Sequence, residues 1–121
     1  MTYLNEQEQA IVHKYIFLPL LRKVLERDLA SIKQSTTFKI NEPYIEFIET
    51  IIKQVTADLR KTKQEMHKHG IKVHQESSTA FKAFSRGYES SFNFFQMAMK
   101  MHVENMMREY FSHIQSKHTA S

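Results

Sequence analysis

Three long runs of apolar residues repeat at helical spacing, and little in the chain can interrupt them. The runs occupy residues 11–32, 44–66 and 88–110, and the 121 residues include only two glycines and two prolines. A sandwich or barrel needs many tight turns built on such residues, so the scarcity points to a mainly α fold. A hydrophobic fraction of 41% and a charged fraction of 25% are those of a globular chain long enough to bury one core. The expectation is a single domain over 1–121, with three long helices in an up-down bundle.

Asn5 opens the first helix. Asn is a strong N-cap, Glu8 three residues later completes a capping box, and Glu6 and Glu8 suit the positive end of the helix dipole. At about 100° per residue, Ile11, Leu18, Leu21, Leu25, Leu29 and Ile32 share one face. Val12, Ile16 and Leu20 form a second strip nearly opposite. Two strips mean either a central helix covered on both sides or a change of phase at Pro19, which cannot donate the intrahelical bond. The second reading is favoured: a helix over 5–34, kinked at Pro19 into nearly collinear pieces of about 5–18 and 19–34. Residues 35–37 read as loop.

The second helix is predicted over 42–69. Asn41 caps it, Glu42 suits the dipole, and Pro43 sits in the first turn, where its missing N–H costs nothing. Tyr44, Ile48, Ile51, Val55, Leu59, Thr62 and Met66 form its stripe. Gly70 is the left-handed residue after its end, with Ile71 as the hydrophobic contact that follows. Residues 71–76 alternate like a half-buried strand, and 80–86 can return beside them, giving a β-hairpin over 71–86. A loop followed by a short helix at 78–85 is the alternative, and the sequence leaves it open. The last helix is predicted over 88–114, with Tyr88, Phe92, Phe95, Met99 and Met106 facing inward. The expected core joins Phe92, Phe95, Met99 and Met106 to Ile11, Leu18, Leu21, Leu25, Leu29, Tyr44, Ile48, Ile51, Val55 and Leu59.

No arrangement of side chains spells out a reaction. The absence of cysteine removes disulfides, thiolate metal sites and a cysteine nucleophile. No phosphate loop, dinucleotide fingerprint, nucleophile elbow or His-Glu-x-x-His element is present. His67 and His69 are two residues apart and point to different sides of a helix. No glutamate has a histidine three residues later, as di-iron carboxylate bundles require. The expectation is a protein that is not an enzyme and carries no cofactor and no metal. The first residues lack the basic start and cleavage site of a secretory signal, and charges interrupt the longest apolar run. No membrane span and a cytoplasmic location are therefore expected.

Two surfaces remain as candidates. Val12, Ile16 and Leu20 on the first helix, with Met97, Met101, Met107 and Phe111 on the last, exceed what three helices can cover in a monomer. They mark a face for self-association or for another protein. The second surface is charged. Between residues 53 and 74, Lys53, Arg60, Lys61, Lys63, Lys68 and Lys72 face two acids, Asp58 and Glu65, so this stretch alone equals the chain's net charge of +4. With the apolar stripe turned inward, Lys53, Arg60, Lys61, Lys68 and Lys72 can track phosphates. The hairpin would then follow a basic helix as a wing follows a recognition helix. The leading expectation is a non-catalytic interaction or regulatory module that self-associates. A nucleic-acid-binding regulator is the alternative.

Residues 16–21 (Ile-Phe-Leu-Pro-Leu-Leu), Arg27-Asp28, residues 41–44 (Asn-Glu-Pro-Tyr), residues 69–73 (His-Gly-Ile-Lys-Val) and Gly87-Tyr88-Glu89 together resemble the small uncharacterised YhjD-like proteins of Bacillus-type bacteria. The resemblance covers most of the chain. It implies a cytoplasmic bacterial protein, and no catalytic or binding residue carries over from it.

Overall fold

The computed structural model describes residues 4–35 and 39–119, with side chains followed as far as Ile114. Thr36 and Thr37 of the expected loop lie outside the described residues. Three helices and three strands follow in the order α1 (Glu6–Gln34), α2 (Glu42–Lys68), β1 (Lys72–Gln75), β2 (Ala80–Ser85), β3 (Tyr88–Asn93) and α3 (Gln96–Thr119). The fold is mainly helical, as expected. The expectation of three helices with at most a short hairpin over 71–86 is corrected by a three-stranded antiparallel meander between α2 and α3.

α1 begins as its sequence dictates. The Asn5 side chain accepts from the Glu8 backbone N–H at 2.8 Å, and the Glu8 carboxylate accepts from the Asn5 N–H at 3.0 Å. The helix then continues unbroken through Pro19, so the expected two pieces are one element. Its opposed strips are explained by position: α1 is the central helix. Leu18, Leu21 and Leu25 pack with Ile48, Ile51, Val55 and Leu59 of α2 and with Ile114 of α3. Ile11, Val12, Ile16 and Phe17 pack beneath Phe81 and Ala83 of the sheet, with Met66, Ile71 and Met99 closing the cluster. Burial on both sides offsets the bond that Pro19 removes.

α2 ends in a Schellman motif. Ile71 N–H donates to the Met66 carbonyl at 2.8 Å, Gly70 N–H donates to the His67 carbonyl at 3.2 Å, and Gly70 has φ +66. Ile71 and Met66 belong to the same apolar cluster, which is the hydrophobic contact this cap requires. At the other end Asn41 does not cap. Its side chain instead donates to the Ile32 carbonyl at 3.3 Å, tying the end of α1 to the start of α2. Tyr44 is 54% exposed rather than core, because the buried face of α2 begins with Ile45 and Ile48.

The expected hairpin is present, pairing Lys72 with Phe84 and Gln75 with Phe81. Ser77 shapes its turn, its hydroxyl accepting from the Thr79 and Ala80 N–H groups at 3.3 and 3.0 Å. Residues 88–93, expected to be helix, form β3, paired to β2 from Ser85–Tyr88 to Ala80–Asn93. The two strands are joined by Arg86 and Gly87 alone, at φ 53 and 80. Positive φ at both central residues is the type I′ hairpin requirement. Tyr88 and Phe92 misled the helical reading because a spacing of four keeps side chains on one face in a strand and in a helix alike. α3 therefore starts at Gln96, and it continues past the expected end at 114. Phe95, expected in the core, precedes the helix and is 85% exposed.

Glu8 fastens the sheet to α1. Its buried carboxylate accepts from the Ser85 hydroxyl and from Arg86 Nη2 at 2.8 Å and Nε at 3.3 Å. With the Asn5 N–H this makes four bonds to one carboxylate, which satisfies a charge that would otherwise be costly to bury.

Candidate interaction surfaces

The second apolar strip of α1 divides at Pro19. Val12 and Ile16 are buried, Val12 completely. They are removed from the expected partner face because the sheet, one strand larger than the expected hairpin, covers them. Leu20, one turn further on, is only half-buried at the edge of the cluster beneath the sheet. With Val24 it lines a groove of about 560 Å³ between α1 and α3, whose floor also includes Met99, Val103 and Met107. The Ser78–Thr79 turn closes one side, and Lys23, Arg27 and Lys100 stand around the rim with one acid, Glu104. The groove has an apolar floor and a predominantly basic edge.

Met97 and Met101 are 66% and 57% exposed. They sit one helical turn apart, and Glu104 continues their line one turn later, held by Arg108 at 3.6 Å. This strip borders the groove on the same helix. Phe111 is half-buried, with its ring against Phe47 of α2 at 5.2 Å, so it serves the α2–α3 contact. The sequence reading identified Leu20, Met97, Met101 and Met107 for this region but missed Val24, Val103, Lys23, Arg27 and Lys100. The available signal was the i, i+4 spacing of Leu20 and Val24, which extends the second strip beyond the proline.

All five residues of the expected phosphate-contacting face, Lys53, Arg60, Lys61, Lys68 and Lys72, are exposed. None of them enters the ion pairs among the described residues, which use Arg22, Lys33, Lys82, Arg86 and Arg108. Lys63 shares one shallow depression of about 310 Å³ with His67, Gly70 and Lys72. It also lines a second cleft with Val73 and Gln75 of β1. The hairpin thus stands directly beside the basic half of α2.

Two other clusters hold titratable groups. A polar cleft of about 390 Å³ between the helices contains Lys14, Asp58, Lys61, Glu65, Tyr110 and His113. Asp58 accepts from the Tyr110 hydroxyl and from Gln54 Nε2 at 3.0 Å. Burial, then the adjacent Asp58 carboxylate, pushes the Tyr110 phenol above its ordinary range, which keeps it protonated as a donor. Asp58 and Tyr110 therefore tie α2 to α3. The second cluster gathers His13, Phe17, Phe94 and His102, with the Phe17 and His102 rings 4.1 Å apart. His102 is exposed at the edge of this cluster. Burial, with a smaller contribution from His102, lowers the His13 pKa and favours its neutral form. Among the described residues no three His, Asp or Glu side chains converge to hold a metal ion, and no helix is long and apolar enough to cross a membrane.

Comparison with known proteins gives one consistent result. Residues 3–115 match the family described as YhjD protein. A Bacillus subtilis (strain 168) relative, printed as "Uncharacterized protein YhjD", is 27% identical over 114 residues, covering 91% of this chain and 94% of that protein. No solved structure matches.

Proposed function

The chain belongs to the YhjD family, and within it we propose that this protein is a non-catalytic interaction module that pairs with a second copy of itself. The observation that carries the reading is the α1–α3 groove, about 560 Å³ with an apolar floor open to solvent, beside a strip of exposed methionines on the same helix. Met97 and Met101 have the i, i+4 spacing with which a helix fills a hydrophobic groove. Methionine also adapts its shape to the surface it meets.

Charge selects the second copy as occupant. Glu104 follows Met97 and Met101 on their strip, at the point where the strip meets the groove rim that carries Lys23, Arg27 and Lys100. Strip and groove are neighbours on α3, so a two-fold axis beside that helix lets each subunit offer its strip to the other's groove. Such a reciprocal contact closes at two subunits.

Sedimentation velocity at about 1–100 µM tests the reading. A stable contact burying about 800 Å² per subunit is expected to give a dimer across most of that range. Met101→Glu is expected to weaken it at least tenfold, since it carries a charge on the strip onto the apolar floor of the other subunit's groove. Glu104→Lys alone weakens the dimer, and adding Lys23→Glu restores it by exchanging the two signs. A monomer at every concentration, or a dimer indifferent to Met101→Glu, overturns the reading.

A further inference from the structure

The basic half of α2 serves no purpose in the groove or in the core. Lys53, Arg60 and His67 recur every seven residues and so share one line along the helix, with Lys61 and Lys68 on a second line beside it. The face extends about 22 Å from Lys53 to Lys68 at about 1.5 Å per residue, then passes through Gly70 to Lys72 in β1. His67 and Lys68, in the last turn, also offset the negative end of the helix dipole. Lys53, Arg60, Lys61 and Lys63 are remote from that end and have no ion-pair partner among the described residues. The acids of this stretch, Asp58 and Glu65, line the polar cleft toward α3, where Lys61 at the edge of the face meets them, and Asp58 is engaged there by Tyr110 and Gln54. Among the described residues, Glu76 of the hairpin is held by Lys82 at 3.3 Å.

We propose that this face, Lys53 through Lys68 and on to Lys72, binds the phosphate backbone of duplex nucleic acid without reading its sequence. Three features favour a duplex. The face runs along one unbroken helix with cations spread over its length, suited to a rigid array of phosphates. None of the large exposed apolar residues lies between positions 53 and 72, so the face has nothing to insert into a membrane. It also has no Phe, Tyr or Trp on which the bases of a single strand would stack. The β1–β2 hairpin flanks the face on the side of Lys63, so Lys72 extends the contact beyond the helix.

Fluorescence anisotropy with a labelled duplex of about 20 base pairs tests the proposal. Micromolar binding at low salt is expected, with a log–log salt slope of about −4 for four to five neutralised phosphates. A second duplex of unrelated sequence is expected to bind equally. Arg60→Glu/Lys61→Glu is expected to weaken binding at least tenfold and to flatten the slope. Lys33→Glu/Lys39→Glu makes the same change in net charge where the end of α1 meets the start of α2 and is expected to leave binding within about twofold. All four positions are exposed, and thermal unfolding followed by circular dichroism verifies each variant's fold. No binding at low salt overturns the proposal, as does equal weakening by both double variants. Tighter binding to a single strand, or to phosphatidylserine vesicles in place of the duplex, also overturns it.

Discussion

Phe17→Ala is expected to remove about 3–5 kcal/mol of stability, the range for deleting a buried aromatic ring from a packed core. Phe17 is 1% exposed, and its ring joins parts of the chain that are distant in sequence. It meets Phe94 between β3 and α3 at 5.3 Å and His102 of α3 at 4.1 Å. It also lies in the cluster that holds Phe81 and Ala83 of the sheet. Alanine there leaves a cavity bounded by three elements, none of which can close it alone. A domain of this size has about 5–15 kcal/mol in total, so urea denaturation should show a sharply lowered midpoint with an unchanged slope. Loss confined to α3, seen as a separate early transition, would show instead that α3 is not part of the cooperative unit.

The second large effect depends on pH. Hydrogen bonds from Arg86, then Ser85, then the Asn5 backbone hold the Glu8 carboxyl at about 2, against an ordinary value of 4.5. A depressed carboxyl pKa stabilises the fold above the unfolded value and ceases to do so as pH falls through the folded value. The Glu8 contribution is therefore complete above about pH 5 and disappears between roughly pH 4.5 and 2. Arg86 is half exposed, so solvent screens its side of the pair, and the buried Glu8 carboxylate contributes about 2–3 kcal/mol, between the surface and interior limits. Glu8→Gln keeps the shape and removes the charge. It is expected to lose that amount at pH 7 and to show a flatter stability profile between pH 5 and 2. Parallel profiles for the two proteins would remove Glu8 from the account of acid sensitivity.

Local signals carried much of the architecture. The Asn5–Glu8 capping box, the Gly70–Ile71 termination of α2 and the β1–β2 hairpin were legible because each depends on a few adjacent residues with particular backbone requirements. The third strand was not. Its turn, Arg86-Gly87, lacks the Asn or Asp that usually marks a two-residue hairpin, and Tyr88 and Phe92 match a helical stripe as well as a strand. That one misreading had consequences. Without β3 the sheet is too small to cover α1, so Val12 and Ile16 looked like surplus surface and the two strips looked like a phase change at Pro19.

The charged face was legible for a different reason. Amphipathic spacing fixes which side of α2 faces out, and exposed lysines need no tertiary partner to stay there. The groove was only half legible, because its rim and floor come from two helices and from the Ser78–Thr79 turn, which are distant in sequence. Sequence periodicity describes one helix at a time and does not measure the gap between two.

Pairing of the α3 strip with the groove of a second copy can be measured directly because the chain has no cysteine. Met101→Cys and Val24→Cys, placed on separate chains and mixed under mild oxidation, can form a mixed disulfide only between subunits. The expected result is rapid formation of a heterodimer cross-linked between these two positions, outpacing a control in which Lys53→Cys replaces Val24→Cys. No mixed disulfide, or equal rates for the groove and control positions, would contradict a dimer built on this groove.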